Sequence, residues 1–125
     1  MTLGLTFDTG ALIALERRGA RMGKVLYEAR ERRMRITVPT PVLAEWWRGA
    51  SRRRDDIREC FEVEPLAENV AKLAGEALAS LARATVVDAI VMASASLRGD
   101  VVYTSDVDDL MALQAFFPSV RVLHT

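Results

Sequence analysis

Apolar positions along the chain switch between two spacings, and this switching predicts short strands separated by helices. Runs such as LGLTF at residues 3–7 and VVYT at 101–104 are typical of buried strands. Between residues 67 and 81 the apolar positions recur every three or four residues, which predicts a helix with a broad buried face. Residues 86–97 are apolar on nearly all sides, so the helix expected there should be central.

The same pattern predicts five strands and seven helices. The strands fall at residues 3–7, 35–38, 61–64 (an edge strand), 101–104 and 120–123. The helices fall at 9–17, 20–34, 51–59, 67–81, 86–97 and 107–115, with one more that Thr40 caps, Pro41 begins and Gly49 ends. Strands that alternate with helices imply an α/β fold, a three-layer sandwich with a central, mostly parallel sheet. A chain of 125 residues is expected to form one domain, residues 1–125.

Four acidic residues occupy places from which they could share one site. Asp8 and Asp106 follow predicted strands, and Glu45 and Asp88 lie in early turns of apolar helices. Ligands of parallel sheets bind beyond the carboxyl ends of the strands, where strand order reverses, so Asp8 and Asp106 should lie close together. Two carboxylates 4 Å apart repel by about 4 kcal/mol at an effective dielectric near 20. The cluster therefore predicts a Mg²⁺ or Mn²⁺ site and a metal-assisted attack on phosphate.

Three of these acids also have a purely structural interpretation. Asp8 and Asp106 are well placed to cap the helices that follow them. Asp88 stands among valine, alanine and isoleucine, where an ionised carboxylate costs several kcal/mol unless it is paired or metal-bound. Pairing with Arg83 is the structural alternative for Asp88.

The net charge is zero, but the two halves of the chain differ. Residues 1–60 carry a net charge of +5 and residues 61–125 a net charge of −5, and 15 of the 17 basic residues are arginine. Arginine suits contacts with a phosphate backbone, although such runs also form solvated helix faces. The two runs are Arg30, Arg32, Arg33 and Arg35, and then Arg48, Arg52, Arg53 and Arg54.

The remaining inventory excludes several kinds of site. The chain has one histidine, His124, and one cysteine, Cys60, so a pair of catalytic histidines, a zinc cluster and an intrachain disulfide are ruled out. It has no GxxxxGK[ST] loop for phosphate. We see no signal peptide and no membrane span, and we expect a cytoplasmic protein. Trp46 and Trp47 either fill a core or subunit contact or stack on unpaired bases.

Four segments together resemble a known family. FDTGALIAL, VLAEWWRG, VVDAIVMASA and VYTSDVDDL are similar, in order and spacing, to the successive motifs of PIN-domain ribonucleases, especially the VapC-type toxins of toxin–antitoxin pairs. The likeness covers essentially the whole chain.

The resemblance implies an α/β/α sandwich and an endoribonuclease that leaves a 5′-phosphate and a 3′-hydroxyl. It implies an RNA substrate, a VapB-type antitoxin as partner, a homodimer, and an Arg-rich segment 48–58 that helps form the cleft. One or two Mg²⁺ or Mn²⁺ ions would be held by Asp8, Glu45, Asp88 and Asp106, with Asp109 as a further acid and with Thr9 and Ser105 near a metal-bound water.

Other functions fit the residues less well. A response-regulator receiver needs adjacent acids after its first strand and a lysine after a late strand, but the only lysines are Lys24 and Lys72. A haloacid-dehalogenase-type phosphatase needs a second aspartate two residues after Asp8, where this chain has Gly10. A catalytically silent PIN domain that binds RNA or protein remains the alternative.

Overall fold

The structure is a computed structural model, and it describes residues 3–48, 51–81 and 83–125. The strands are β1 (Leu5–Phe7), β2 (Ile36–Pro39), β3 (Glu62–Glu64), β4 (Val101–Thr104) and β5 (Arg121–His124). The helices are α1 (Thr9–Glu16), α2 (Ala20–Glu31), α3 (Thr40–Trp46), α4 (Arg52–Arg58), α5 (Glu68–Ser80), α6 (Val86–Arg98) and α7 (Val107–Gln114). Every predicted strand and helix is present, and their ends differ from the predicted ones by only a few residues.

The strands form one parallel sheet in the order β3-β2-β1-β4-β5. From β1 the chain builds outward to β2 and β3 on one side, and then to β4 and β5 on the other. Strand order therefore reverses between β1 and β4, which opens a crevice at the carboxyl ends of these two strands. The segment predicted as an edge strand is β3, at one edge of the sheet.

Helices cover both faces of the sheet, as the predicted three-layer sandwich requires. Helix α6 packs on β1, β2 and β4, with α5 and α7 beside it, and residues 89–95 of this helix are all buried. Helix α1 packs on β1 and β4 and contacts α2, α3 and α4. The central position predicted for α6 is confirmed. None of the helices in the three described ranges is both long and apolar enough to cross a bilayer.

The start of α3 differs from the prediction. Pro39 occupies the cap position with an extended backbone, and Thr40 is already the first helical residue, so the predicted Thr40 cap is wrong. The turn from strand to helix is made at Pro39 because this residue, the last of β2, has its φ fixed near −64°. The helix ends at Trp46, and the predicted break at Gly49 lies outside the described residues.

Candidate metal centre

An open cleft of about 720 Å³ lies at the carboxyl edge of the sheet, where strand order reverses. It is lined by all five acids singled out in the sequence, which come from four segments of the chain, and by Thr9 and Ser105. The five acids are Asp8 after β1, Glu45 on α3, Asp88 on α6, Asp106 after β4, and Asp109 on α7.

Asp8 is the most buried of these acids, with 6% of its surface exposed. Its Oδ1 accepts a hydrogen bond from the backbone N–H of Ala11 at 2.9 Å, so the predicted capping of α1 is confirmed. Burial, aided by the negative charges of Asp88 and Asp106, raises the pKa of Asp8 to about 6, against hydrogen bonding from Thr104 and Ala11 that lowers it. Capping and membership of the acidic cleft are therefore compatible roles for one carboxylate.

Asp88 lies in the first turn of α6, where its backbone N–H donates to Oγ1 of Thr85 at 3.1 Å. Burial raises the pKa of Asp88, and the neighbouring charges of Asp109, Asp106 and Glu45 add to this effect, whereas the nearby side chain of Thr85 acts on the carboxyl group and lowers it. No ion pair found within the described ranges joins Asp88 to Arg83, which is exposed. The negative charges of other acids in the same cleft thus repel the ionised carboxylate of Asp88.

Glu45 and Asp106 are exposed and line the cleft, Glu45 on the helix after β2 and Asp106 directly after β4, the two strands that flank β1 in the sheet. The hydroxyl of Thr9 donates to Oε1 of Glu45 at 2.6 Å, which links the first turn of α1 to α3. Asp106 stands at the cap position of α7, but its side chain makes no capping hydrogen bond. The predicted capping role is therefore wrong for Asp106, and the carboxylate is left to the cleft.

Sequence reasoning missed Thr104, which is fully buried at the end of β4. Its Oγ1 accepts from the backbone N–H of Asp106 at 2.9 Å, and its side chain is close enough to Asp8 to lower the pKa of that acid. One side chain thus lies between the two acids that follow β1 and β4. A threonine ending an apolar strand gives no signal of this role, because Asp8 is distant in the sequence.

Glu16, also missed, lines the same cleft and links two residues of its wall. Its Oε1 accepts from Nε1 of Trp46 at 3.0 Å, and its Oε2 pairs with Nε of Arg54 at 3.0 Å. Trp46 is 2% exposed and packs edge-on against Phe61, so its predicted place in the core is confirmed. Trp47 is 38% exposed and lies in a separate shallow groove.

The four arginines predicted to contact RNA separate into two groups. Arg48 and Arg54 line the cleft, and so does Arg17, which sequence reasoning missed. Arg53 instead donates to the carbonyl oxygens at the end of α1, at 2.8 and 3.1 Å, and stabilises that helix end. Arg52 is exposed and does not line the cleft.

The donor chemistry of the cleft suits a hard cation, because all five acids offer carboxylate oxygens. None of the five takes part in an ion pair within residues 3–48, 51–81 and 83–125. In the same ranges, no three acidic, histidine or cysteine side chains stand close enough together to hold one metal ion. Like charges favour separated rotamers, so binding would require the carboxylates to rotate toward each other. The donor set fits a divalent ion, whereas the side-chain placement is that of mutually repelling acids.

Three solved structures illustrate how widely this architecture is shared. The chain superposes on VapBC from Salmonella typhimurium, solved bound to DNA, with a TM-score of 0.75 over 98% of both chains at 18% identity. It superposes on VapBC2 from Rickettsia felis, solved with a DNA fragment from its promoter, with a TM-score of 0.79 over 98% of this chain and 99% of that one at 13% identity. VapC20 from Mycobacterium tuberculosis, described as a sarcin–ricin loop cleaving toxin, gives 0.67 at 25% identity over 87% of this chain and 95% of its own.

The first two similarities, at such low identity, show a common fold. No curated protein sequence matches the chain. Residues 5–113 match the PIN domain, a span that runs from β1 into α7 and includes all five acids of the cleft. The chain belongs to the PIN-domain family.

Proposed function

We propose that this PIN domain is a VapC-type ribonuclease, the toxin of a type II toxin–antitoxin pair, which hydrolyses RNA phosphodiester bonds with Mg²⁺ or Mn²⁺. The observation that carries the proposal is the meeting of Asp8, Glu45, Asp88 and Asp106 in one cleft at the switch point of the sheet. The likeness to VapC20, described as a sarcin–ricin loop cleaving toxin, supports the same conclusion.

The acids of the cleft would hold one or two divalent ions, with Asp109 as a further ligand on α7. When bound, such ions supply an activated water and neutralise the charge that develops on the phosphate. The protein contributes orientation: the N–H of Ala11 holds the carboxylate of Asp8, and the hydroxyl of Thr9 holds that of Glu45. Ser105, at the same edge, is placed to bind a water beside the acids. The expected products carry a 5′-phosphate and a 3′-hydroxyl.

The partners of this ribonuclease follow from its charge and its family. Arg48 and Arg54 line the cleft and are the best candidates for contacts with the RNA backbone, although Arg54 also pairs with Glu16. Arg53, in contrast, lies outside the lining and donates to the end of α1. A VapB-type antitoxin would silence the toxin in its own cell, and the chain would pair as a homodimer. We propose that it acts in the cytoplasm as a single domain.

Cleavage of total cellular RNA by the purified chain tests this function. With Mg²⁺ or Mn²⁺ we expect discrete fragments, and EDTA should abolish them. Asp88→Asn should lower the cleavage rate by about 10²-fold or more, because it removes one of the carboxylates proposed to hold the metal. Glu68→Gln is a matched control, since Glu68 is an exposed acid that pairs with Lys72 on α5, outside the residues that line the cleft.

The thermal unfolding midpoint gives a second measurement on the same proteins. Mg²⁺ or Mn²⁺ should raise the midpoint of the wild type and of Glu68→Gln, because an ion that binds only the folded state stabilises it, and should have little effect on Asp88→Asn. Folded, antitoxin-free protein that binds RNA but cuts none with either metal would contradict the nuclease and identify a catalytically silent binding domain.

A further inference from the structure

Gly10, the second residue of α1, lies directly beneath Ser105 at the edge of the cleft. A Cβ atom on residue 10 would stand 1.9 Å from Oγ of Ser105, 2.8 Å from its Cβ and 3.0 Å from its backbone nitrogen. Non-bonded carbon atoms ordinarily approach no closer than about 3.5 Å. The hydroxyl could rotate away, but the Cβ and the backbone nitrogen can move only with the turn that carries them.

That turn also carries an acid of the proposed metal centre. Ser105 immediately precedes Asp106, and Gly10 comes two residues after Asp8. Thr104 lies between the two sides, because its hydroxyl accepts from the backbone N–H of Asp106 and its side chain lies next to Asp8. A side chain at position 10 would therefore push the turn between β4 and α7 away from α1 and lengthen the separation of Asp8 and Asp106.

The close approach, and not the backbone conformation, is what demands glycine at this position. Gly10 lies in regular α-helix, and among the described glycines only Gly99 has a positive φ. Two other helical glycines, Gly23 and Gly75, have nothing within 4 Å of an added Cβ. They show that glycine in a helix of this protein does not by itself signal close packing.

We propose that Gly10 is a positioning residue of the catalytic site: its missing side chain lets Ser105 lie against α1 and sets the distance between Asp8 and Asp106. The activity readout rests on the proposed ribonuclease, whereas the packing itself does not. A displacement of about 1 Å in a catalytic group is enough to lower a rate by about 10²-fold.

Substitution of Gly10 and Ser105, singly and together, tests the proposal. Gly10→Ala should lower kcat for RNA cleavage by about 10- to 100-fold with KM little changed, because the acids and not the RNA-binding wall are displaced. Gly23→Ala and Gly75→Ala should keep wild-type kcat. Adding Ser105→Gly to Gly10→Ala removes both the Oγ and the Cβ that clash, so the double variant should recover the kcat of Ser105→Gly alone.

Ser105→Ala provides a graded comparison, because it removes the Oγ but keeps the Cβ at 2.8 Å. In the Gly10→Ala background it should restore kcat less than Ser105→Gly does. Equal kcat for Gly10→Ala and wild type would overturn the proposal, and so would a loss that Ser105→Gly leaves unrelieved in folded protein. If Gly10→Ala alone fails to fold, the double variant decides: kcat equal to that of Ser105→Gly supports the proposal, and a lower kcat overturns it.

Backbone amide NMR of metal-free protein separates this proposal from the ribonuclease activity. Gly10→Ala should shift the amide resonances of Ser105 and Asp106, and the double variant should return Asp106 toward its wild-type position. If the wild type cuts no RNA, the proposed function fails while these shifts still judge the packing. Unmoved resonances in Gly10→Ala would overturn the positioning role.

Discussion

The carboxylate of Asp8 has two opposite effects on the stability of the fold: as a helix cap it stabilises the folded state, and as a buried charge it destabilises it. It caps α1 through the N–H of Ala11, a contact of a kind worth about 1 kcal/mol. It is also buried beside Asp88 and Asp106, and its pKa is raised to about 6. Near neutral pH the metal-free protein must therefore keep an ionised group in a place that favours the neutral form.

The stability of metal-free protein should consequently fall as pH rises from about 4 to about 6. In this range the folded state, in which Asp8 has a pKa of about 6, binds more protons than the unfolded state, in which the pKa lies near 3.8. The free energy of unfolding then decreases with pH, by up to about 3 kcal/mol for a shift of this size. Other carboxylates add their own pH dependence, so the measurement is the difference between wild type and Asp8→Asn in urea denaturation with EDTA.

Asp8→Asn should be more stable than the wild type at pH 7.5 without metal, while its RNA cleavage is lost. Asparagine keeps the capping oxygen, so the gain reports the removed charge and not a changed helix end. The advantage should shrink toward pH 4, where Asp8 is protonated in the folded wild type. Parallel stability curves for the two proteins would show that burial and repulsion at Asp8 cost nothing measurable.

At the residue scale, what the sequence reveals depends on how far away a residue's partners lie. Asp88 could be identified because a carboxylate within an apolar helix is conspicuous by itself. Gly10, Glu16 and Thr104 could not, because their importance comes from Ser105, Trp46 and Asp8, which the fold brings together from distant segments. The acids were thus predictable as a set, whereas the contacts that hold them were not.

Among the secondary-structure elements, α1 and α2 end in the same unusual way. Each closes with a Schellman motif whose left-handed position is an arginine, with φ of 60° at Arg18 and 53° at Arg33. At the end of α2, the N–H of Arg33 donates to Arg30 and that of Met34 donates to Ala29, at 3.1 and 2.8 Å. Glycine is the usual residue at this position because the left-handed conformation costs other residues about 1–2 kcal/mol.

Arg33→Gly should therefore stabilise the protein by about 1 kcal/mol, because it relieves this backbone strain at an exposed position. Arg32→Gly is the matched control: Arg32 is also exposed, but its φ of −90° suits any residue, so the substitution should give no gain. Urea denaturation of both variants measures the difference. Equal effects of the two substitutions would contradict a strained left-handed arginine.

The ends of elements were less predictable than their centres. Periodicity located α5 and α6 to within about a residue, because many apolar positions contribute to the pattern. The Thr40 cap was predicted wrongly because two residues there could make the turn, and the fixed φ of Pro39 decided between them. The arginines at the ends of α1 and α2 gave no signal, since glycine is what usually marks such a site.

On the scale of the whole molecule, the alternation of strands and helices predicted a parallel sheet but not its order. Strand order depends on which helix covers which face, and that is decided by packing between distant segments. Once the order is known, the acidic cleft follows from it, because Asp8 and Asp106 come after the two strands that flank the switch point. The position of the site is thus a property of the topology, and its chemistry a property of the motifs.

A buried ionic network joins the two halves of this sheet. The Nε of Arg98, at the end of α6, donates to Oδ2 of Asp100 at 2.9 Å, and another of its nitrogens pairs with Glu64 on β3. The hydroxyl of Thr6 on β1 donates to the same oxygen of Asp100 at 2.8 Å and accepts from Arg98 at 2.7 Å. Ser94 donates to Glu64 at 2.7 Å. The edge strand β3 is thereby tied through α6 to the centre of the sheet.

Arg98→Met should destabilise the whole fold by about 3–5 kcal/mol, because it leaves the carboxylate of Asp100, 3% exposed, buried without its cation. Adding Asp100→Asn should recover part of the loss, since no unpaired charge then remains in the interior. Arg121→Met, at an exposed position on β5, is the control and should change stability by no more than about 0.5 kcal/mol. Urea denaturation of the wild type, Arg98→Met, Asp100→Asn, the double variant and Arg121→Met measures these differences. A double variant as unstable as the sum of its two single changes would mean that the network acts through packing alone and not through the buried charge.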